Sequence, residues 1–250
     1  CANFLLMLLL LPRKEKEAER TAETNFNWRQ YLSMLLPLLG CEVLWSLGEN
    51  VYAAIYGHMS TDASAAMTLT NPVQGLVIGT LCGLSQAAGV IVGKRLGSGD
   101  PEGALWASIK LLAYGAAGSV LLSAAVVLCS GVYVELYQGE EAVKTMTRQI
   151  LFVYALVAPF KVLNMILGGG ILRSGGQTKY VMFIDAIGTW CFGVPLGLLS
   201  AFVWKLPVAG VYFLLSLEEC VRFGISLAIF RRRKWMNRLE AAAESRRFPT

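Results

Sequence analysis

Tyr31-Leu32-Ser33-Met34-Leu35-Leu36-Pro37-Leu38-Leu39-Gly40-Cys41-Glu42-Val43-Leu44-Trp45-Ser46-Leu47-Gly48-Glu49-Asn50-Val51-Tyr52 decides how the chain is read. The stretch is apolar enough to cross a bilayer and reaches the roughly 20 residues a spanning helix needs. Yet it holds two carboxylates, Glu42 and Glu49. An acid at bilayer depth costs about 3 kcal/mol on insertion scales, so one that is kept marks a functional candidate. An α-helix turns 100° per residue, which puts Trp45, Glu49, Tyr52 and Tyr56 within roughly 80° of arc from Glu42. Two acids and three aromatic rings on one face suit a water-filled cavity that meets cations or flat aromatic ligands.

The rest of the chain agrees with a membrane setting. Of 250 residues, 55% are hydrophobic and 16% charged, with a mean hydropathy of +0.54. Soluble domains carry about 25% charged residues. Six apolar segments follow one another at about 31–57, 66–93, 105–136, 146–172, 179–203 and 207–231, each long enough to span. The expectation is an all-α polytopic membrane protein of six transmembrane helices. Residues 12–30, mixed in charge, read as a linker at the membrane surface, and 232–250 as a basic tail. Cys1 to Leu11 is too short to span and lacks the basic start of a signal peptide. It reads as the tail of a preceding transmembrane helix, so the sequence reads as part of a longer protein.

Sixteen of the 22 Lys and Arg residues fall in the linker, the 94–104 loop, the 173–179 turn and the end of the chain from Arg231 onward; only Lys144, Arg148 and Lys205 fall in the alternate connections. This bias predicts both ends on the cytoplasmic side of a plasma (inner) membrane. The net charge of +5 therefore reads as topology rather than nucleic acid binding. The six cysteines form no CxxC and read as small packing residues, and the lone His58 as an interfacial residue, so no metal or other cofactor is expected.

Polar residues inside the spans form the remaining constellations. Asn71, Gln74 and Ser85 share an arc of about 60° on the second helix and read either as cavity lining or as interhelical hydrogen-bond partners. Lys161 and Asn164 lie on the fourth, where Lys161 is placed to neutralise an acid from another helix. Asp185, on the fifth, reads either as a partner of a lysine or as an ion-coupling acid. On the sixth, Arg222 stands i+4 and i+3 from Glu218 and Glu219, the spacing of a local ion pair. Pro37, Asn71-Pro72, Pro159, Gly168-Gly169-Gly170 and Pro195 interrupt regular hydrogen bonding inside spans, as broken helices do in transporters. Gly97-Ser98-Gly99-Asp100 carries the GxGD string of intramembrane aspartyl proteases, but its setting between basic residues and Pro101 reads as a loop entering a helix.

Taken in order, several motifs resemble the carboxy-terminal lobe of multidrug and toxic compound extrusion (MATE) transporters. They are Glu42-Val43-Leu44-Trp45-Ser46-Leu47-Gly48 with Ala54-Ile55-Tyr56-Gly57, Gly93 to Asp100, Ile171 to Thr178, Asp185, Trp190, Gly193-Val194-Pro195-Leu196, Glu218-Glu219, Arg222 and Arg233-Lys234-Trp235. The resemblance implies one six-helix lobe of a twelve-helix transporter, whose amino-terminal lobe is absent from this sequence. It implies a non-enzymatic antiporter that exports small organic cations or amphipathic compounds in exchange for Na+ or H+. Glu42 and Asp185 are then the candidates for ion coupling, and Trp45, Glu49, Tyr52, Tyr56, Asn71, Gln74, Lys161 and Asn164 for cavity lining. The chain departs from the family pattern at Gln177, where many relatives have Asp, and at Lys161, in a region where some relatives carry an acid. A lipid-linked flippase of the same superfamily and a GxGD protease are the alternatives.

Overall fold

A computed structural model of the protein describes residues 28–138, 140–233 and 235–236. The expected helix tail at 1–11, most of the 12–30 linker and the tail beyond 236 lie outside the described residues. Among the described residues, six helices run in order: α1, Trp28–Met59; α2, Thr61–Gly97; α3, Pro101–Glu135; α4, Glu141–Leu172; α5, Thr178–Val203; and α6, Val208–Arg231. No strand occurs among the described residues. The chain divides into two compact units, Cys1–Leu36 and Pro37–Thr250. Of the first, only the opening turns of α1 are described; the second holds the remainder of α1 and all of α2 to α6.

α2 to α5 are each long and apolar enough to cross a membrane. α6 is 24 residues long and carries Glu218, Glu219 and Arg222 near its middle. The helices outrun the apolar segments that announce them, because polar caps extend them past the apolar run. Ser60 accepts a 3.0 Å hydrogen bond from the Ala63 amide at the start of α2. Asp100 accepts one of 2.8 Å from the Gly103 amide at the start of α3, where Pro101 has no N–H to leave unpaired. Asp100 also pairs with Arg95 at 3.4 Å, so this carboxylate serves as a helix cap.

The anticipated helix breaks take an unexpected form. α2 and α4 pass through Pro72 and Pro159 as continuous α-helix. At Gly168-Gly169-Gly170 the chain stays helical but widens to a π-helix over Met165–Leu172. α5 does the same on both sides of Pro195, over Ile187–Gly193 and Leu199–Val203. Glycine at 170 lets α4 lie directly on α2, since a Cβ there would collide with the Ser85 carbonyl. Ser85 in turn donates a 2.9 Å hydrogen bond to the Met165 carbonyl at the start of the π segment. Both readings of Ser85 are met, since it makes this interhelical hydrogen bond and also lines a cavity.

Two apolar clusters fill the second unit. One gathers Val92, Leu96, Ile166, Ile171, Val181 and Phe230 at the end that carries Arg95, Arg173 and Arg231. The other gathers Ile55, Ala66, Ile150, Val211 and Leu215 at the opposite end. Along α4, α5 and α6, Lys161, Asp185, Glu218, Glu219 and Arg222 fall between the two clusters. From Gly40 onward α1 runs parallel to α5, with Gly40 against Met182, Gly48 against Thr189 and Ile55 against Gly197. Small residues at such contacts let helices approach where lipid offers no hydrophobic drive to associate. Beyond α6, Arg233 takes a left-handed φ of 56° and Trp235 folds back, fully buried, onto Phe230.

Candidate functional site

Arg222 is the centre of the polar layer between the clusters. The i+4 and i+3 spacings on α6 bring its guanidinium 3.3 Å from Glu218 and 3.6 Å from Glu219. The pair that the spacing predicts is present, but it is not merely local. Arg222 Nη1 also lies 4.0 Å from Asp185 Oδ1 on α5, and Nη2 donates to the hydroxyl of Thr189. Gly188 makes the approach sterically possible, because any side chain there would run into the arginine stem.

α1 and α4 complete the layer. Tyr52 donates a 2.5 Å hydrogen bond to Glu218 Oε2, and Asn164 donates one of 2.9 Å to Glu219 Oε2. The Cys41 thiol donates to Asp185 Oδ2 at 3.0 Å. Asp185, Glu218 and Glu219 therefore share one ion-paired guanidinium. Fully ionised, the layer holds two negative charges in excess, and buried charge without a partner is costly enough to recruit a proton or a cation.

Two cavities open on this layer. The larger, of about 470 Å³, is lined by acids Glu42, Asp185 and Glu219 and by bases Lys161, Arg173 and Arg222. Its charges balance in number, and its volume falls within the range of small-molecule sites. The smaller, of about 90 Å³, is lined by Glu49, Glu218 and Glu219 against Lys161 alone, and by Tyr52, Tyr56, Tyr154 and Tyr212. That exceeds the 10–15 Å³ or so that a single water requires, but it is too small for an organic molecule.

The acidic aromatic face of α1 is thus divided between two cavities. Glu42 and Trp45 line the larger; Glu49, Tyr52 and Tyr56 line the smaller. Glu42 is exposed and pairs with Arg173 at 3.4 Å. Asn71 and Gln74 line the smaller cavity, where Tyr212 donates to Gln74 Oε1 at 3.2 Å; Asn164 lines the larger. Lys161 lines both.

Two pairings read from the sequence take another form. Asp185 meets Arg222 and Cys41 instead of a lysine. Lys179 lies six residues back, which on an α-helix is about 240° away and turns the two side chains apart. Lys161 shares both cavities with Glu219 but, among the described residues, makes no ion pair within 4.0 Å. Sequence reasoning passed over Cys41, Arg173, Thr189, Tyr154 and Tyr212. For the two tyrosines a signal existed: Tyr154 and Lys161, like Tyr212 and Glu219, stand seven residues apart on one helix face.

Comparison with known proteins adds to this geometry. The chain is 26% identical over 213 residues to human multidrug and toxin extrusion protein 1, covering 83% of this chain and 37% of that protein. It is 27% identical over 216 residues to the probable multidrug resistance protein NorM of Mesorhizobium japonicum, covering 83% of this chain and 46% of that protein. The chain thus spans less than half the length of these relatives. Among solved structures, the MATE transporter ClbM in complex with Rb+ superposes with a TM-score of 0.77 at 20% identity, over 84% of this chain and 49% of that one. The Vibrio cholerae MATE transporter VcmN in its bent form gives 0.75 at 20% identity, over 83% and 47%. The MatE family model matches residues 37–199, more than half of the sequence, and on that match, over the helical architecture described above, the chain belongs to the MatE family of membrane transporters.

Proposed function

We propose that this chain is one lobe of a secondary antiporter that exports cationic or amphipathic organic compounds in exchange for Na+ or H+. The observation that carries the reading is the acid excess: Asp185, Glu218 and Glu219 around the single guanidinium of Arg222. A layer that needs one or two positive charges can take them as protons or Na+ in one state and surrender them in the other. Glu42 and Asp185, at the larger cavity, are the residues through which ion and substrate compete. The smaller cavity has the size and the tyrosine-and-acid lining for a small cation, and the larger has room for the organic substrate. Rb+ bound to ClbM supports a monovalent cation as partner for this fold. The Lys and Arg distribution supports a plasma (inner) membrane location with both ends cytoplasmic. A phosphate-bearing lipid cargo is less suited, because Arg173 and Arg222 are already paired with acids and only Lys161 is left to meet a phosphate in the larger cavity.

The test uses the full-length protein in proteoliposomes loaded with a fluorescent organic cation. An imposed H+ or Na+ gradient drives its movement, and Asp185→Asn abolishes the dependence of the rate on the gradient. Transport that persists unchanged after the gradients are collapsed sinks the antiporter reading. Unchanged export by Glu42→Gln removes Glu42 from the mechanism.

A further inference from the structure

Lys161 is the basic residue that lines both cavities. It is half-buried, and among the described residues it has no ion pair within 4.0 Å and no hydrogen bond. Its position on α4 is mechanically unusual. Pro159 removes a backbone donor two residues before it, and the π-helical segment begins at Met165, four residues after it. Tyr154 and Asn164 share its helix face within about 80° of arc. The first lines the smaller cavity, and the second holds Glu219 at 2.9 Å. The ammonium thus stands at the junction of the two chambers, beside an acid layer short of positive charge.

We propose that Lys161 is a tethered counter-cation: its ammonium takes the monovalent-cation position of the smaller cavity against Glu49, Glu218 and Glu219, so that this lobe does without Na+ there. A lysine stem has four rotatable carbons and carries a compact point charge, the form best suited to stand in for a small ion. Counting Lys161 with Arg222 against Glu49, Asp185, Glu218 and Glu219, the negative charge excess falls from three to two. The inference deepens the antiporter reading and rests on it for its meaning, but its own test does not require transport.

Thermal unfolding of the purified full-length protein is followed in detergent against increasing NaCl, with N-methylglucamine chloride as the control for ionic strength. In Lys161→Gln, Na+ gains a position, and the concentration giving half-maximal protection falls about tenfold relative to the unsubstituted protein. Lys161→Met, a second charge-removing variant, does the same if the glutamine variant does not fold. Lys161→Arg, which keeps the charge, retains the original response. Equal Na+ protection with and without the Lys161 charge overturns the proposal, as does an arginine variant that behaves like glutamine. A Na+ difference without any gradient-driven export would instead overturn the antiporter reading and leave the counter-cation standing.

Discussion

The phenol of Tyr52 on α1 and the carboxylate of Glu218 on α6 meet at 2.5 Å, across a gap that exists because residue 193 of α5 is glycine. Three helices thereby converge on one hydrogen bond. A Cβ at position 193 would strike both the Tyr52 hydroxyl and the Glu218 carboxylate. Tyr52→Phe keeps the ring and removes the donor, and a hydrogen bond to a charged group is worth about 1.5–3 kcal/mol. Gly193→Ala forces the two groups apart and adds strain to that loss. Thermal unfolding in detergent should rank the two variants in that order, with Gly193→Ala the less stable.

Among the described residues, Arg222 is the one base ion-paired with Asp185, Glu218 and Glu219, so its removal acts on all three acids. Breaking a buried pair by deleting one partner costs about 3–5 kcal/mol, because the other charge is left buried alone. Arg222→Gln should therefore lose most of its folded yield in membranes. Asp185→Asn removes an acid from an acid-rich layer and should leave the yield near that of the unsubstituted protein. Quantifying folded protein by size-exclusion chromatography after extraction separates the two outcomes.

The contrast between those residues also shows what was legible before the structure. The six helices follow from run length and hydrophobicity alone, and the Arg222 pairing with Glu218 and Glu219 follows from i+3 and i+4 spacing, because both are properties of one helix. Asp185 could be placed at the right depth but not beside Arg222, since that contact depends on how α5 and α6 rotate against each other. The same limit made the Glu42, Glu49 and tyrosine face look like one surface. On an isolated helix it is one; in the bundle the polar layer divides it. The π-helical widening at Met165–Leu172 was visible only as a run of glycines, which signals that the backbone is free but not which geometry it takes.

Trp235 closes the basic end of the lobe. Its ring stacks on Phe230 at 5.5 Å, and its indole N–H donates to the Phe230 carbonyl at 3.1 Å. Gly175, in the turn between α4 and α5, lies so close that a Cβ would press on the Trp235 backbone and ring. Trp235→Ala empties a fully buried site and should cost about 3–5 kcal/mol. Trp235→Phe keeps the stack but loses the donor and should cost less than the alanine variant. The ordering is read from unfolding midpoints in detergent, and equal midpoints for the two would mean that stacking contributes nothing.

The division into two cavities makes the strongest demand on function, because residues on one helix should fail in different ways. Trp45 is half-exposed at the larger cavity, where a ring face can meet an organic cation with about 0.5–2 kcal/mol of attraction. Trp45→Ala should therefore raise the KM for a cationic substrate and leave its dependence on the driving ion unchanged. Glu49, about one turn further along α1, lines the smaller cavity with the tyrosines. Glu49→Gln should shift the ion concentration or pH that half-drives export, with substrate KM held. Both side chains are exposed enough for folding to survive the change. Initial transport rates over a grid of substrate and ion concentrations give both parameters for each variant. If the two variants alter the same parameter, substrate and ion share one site and the two-cavity division has no functional counterpart.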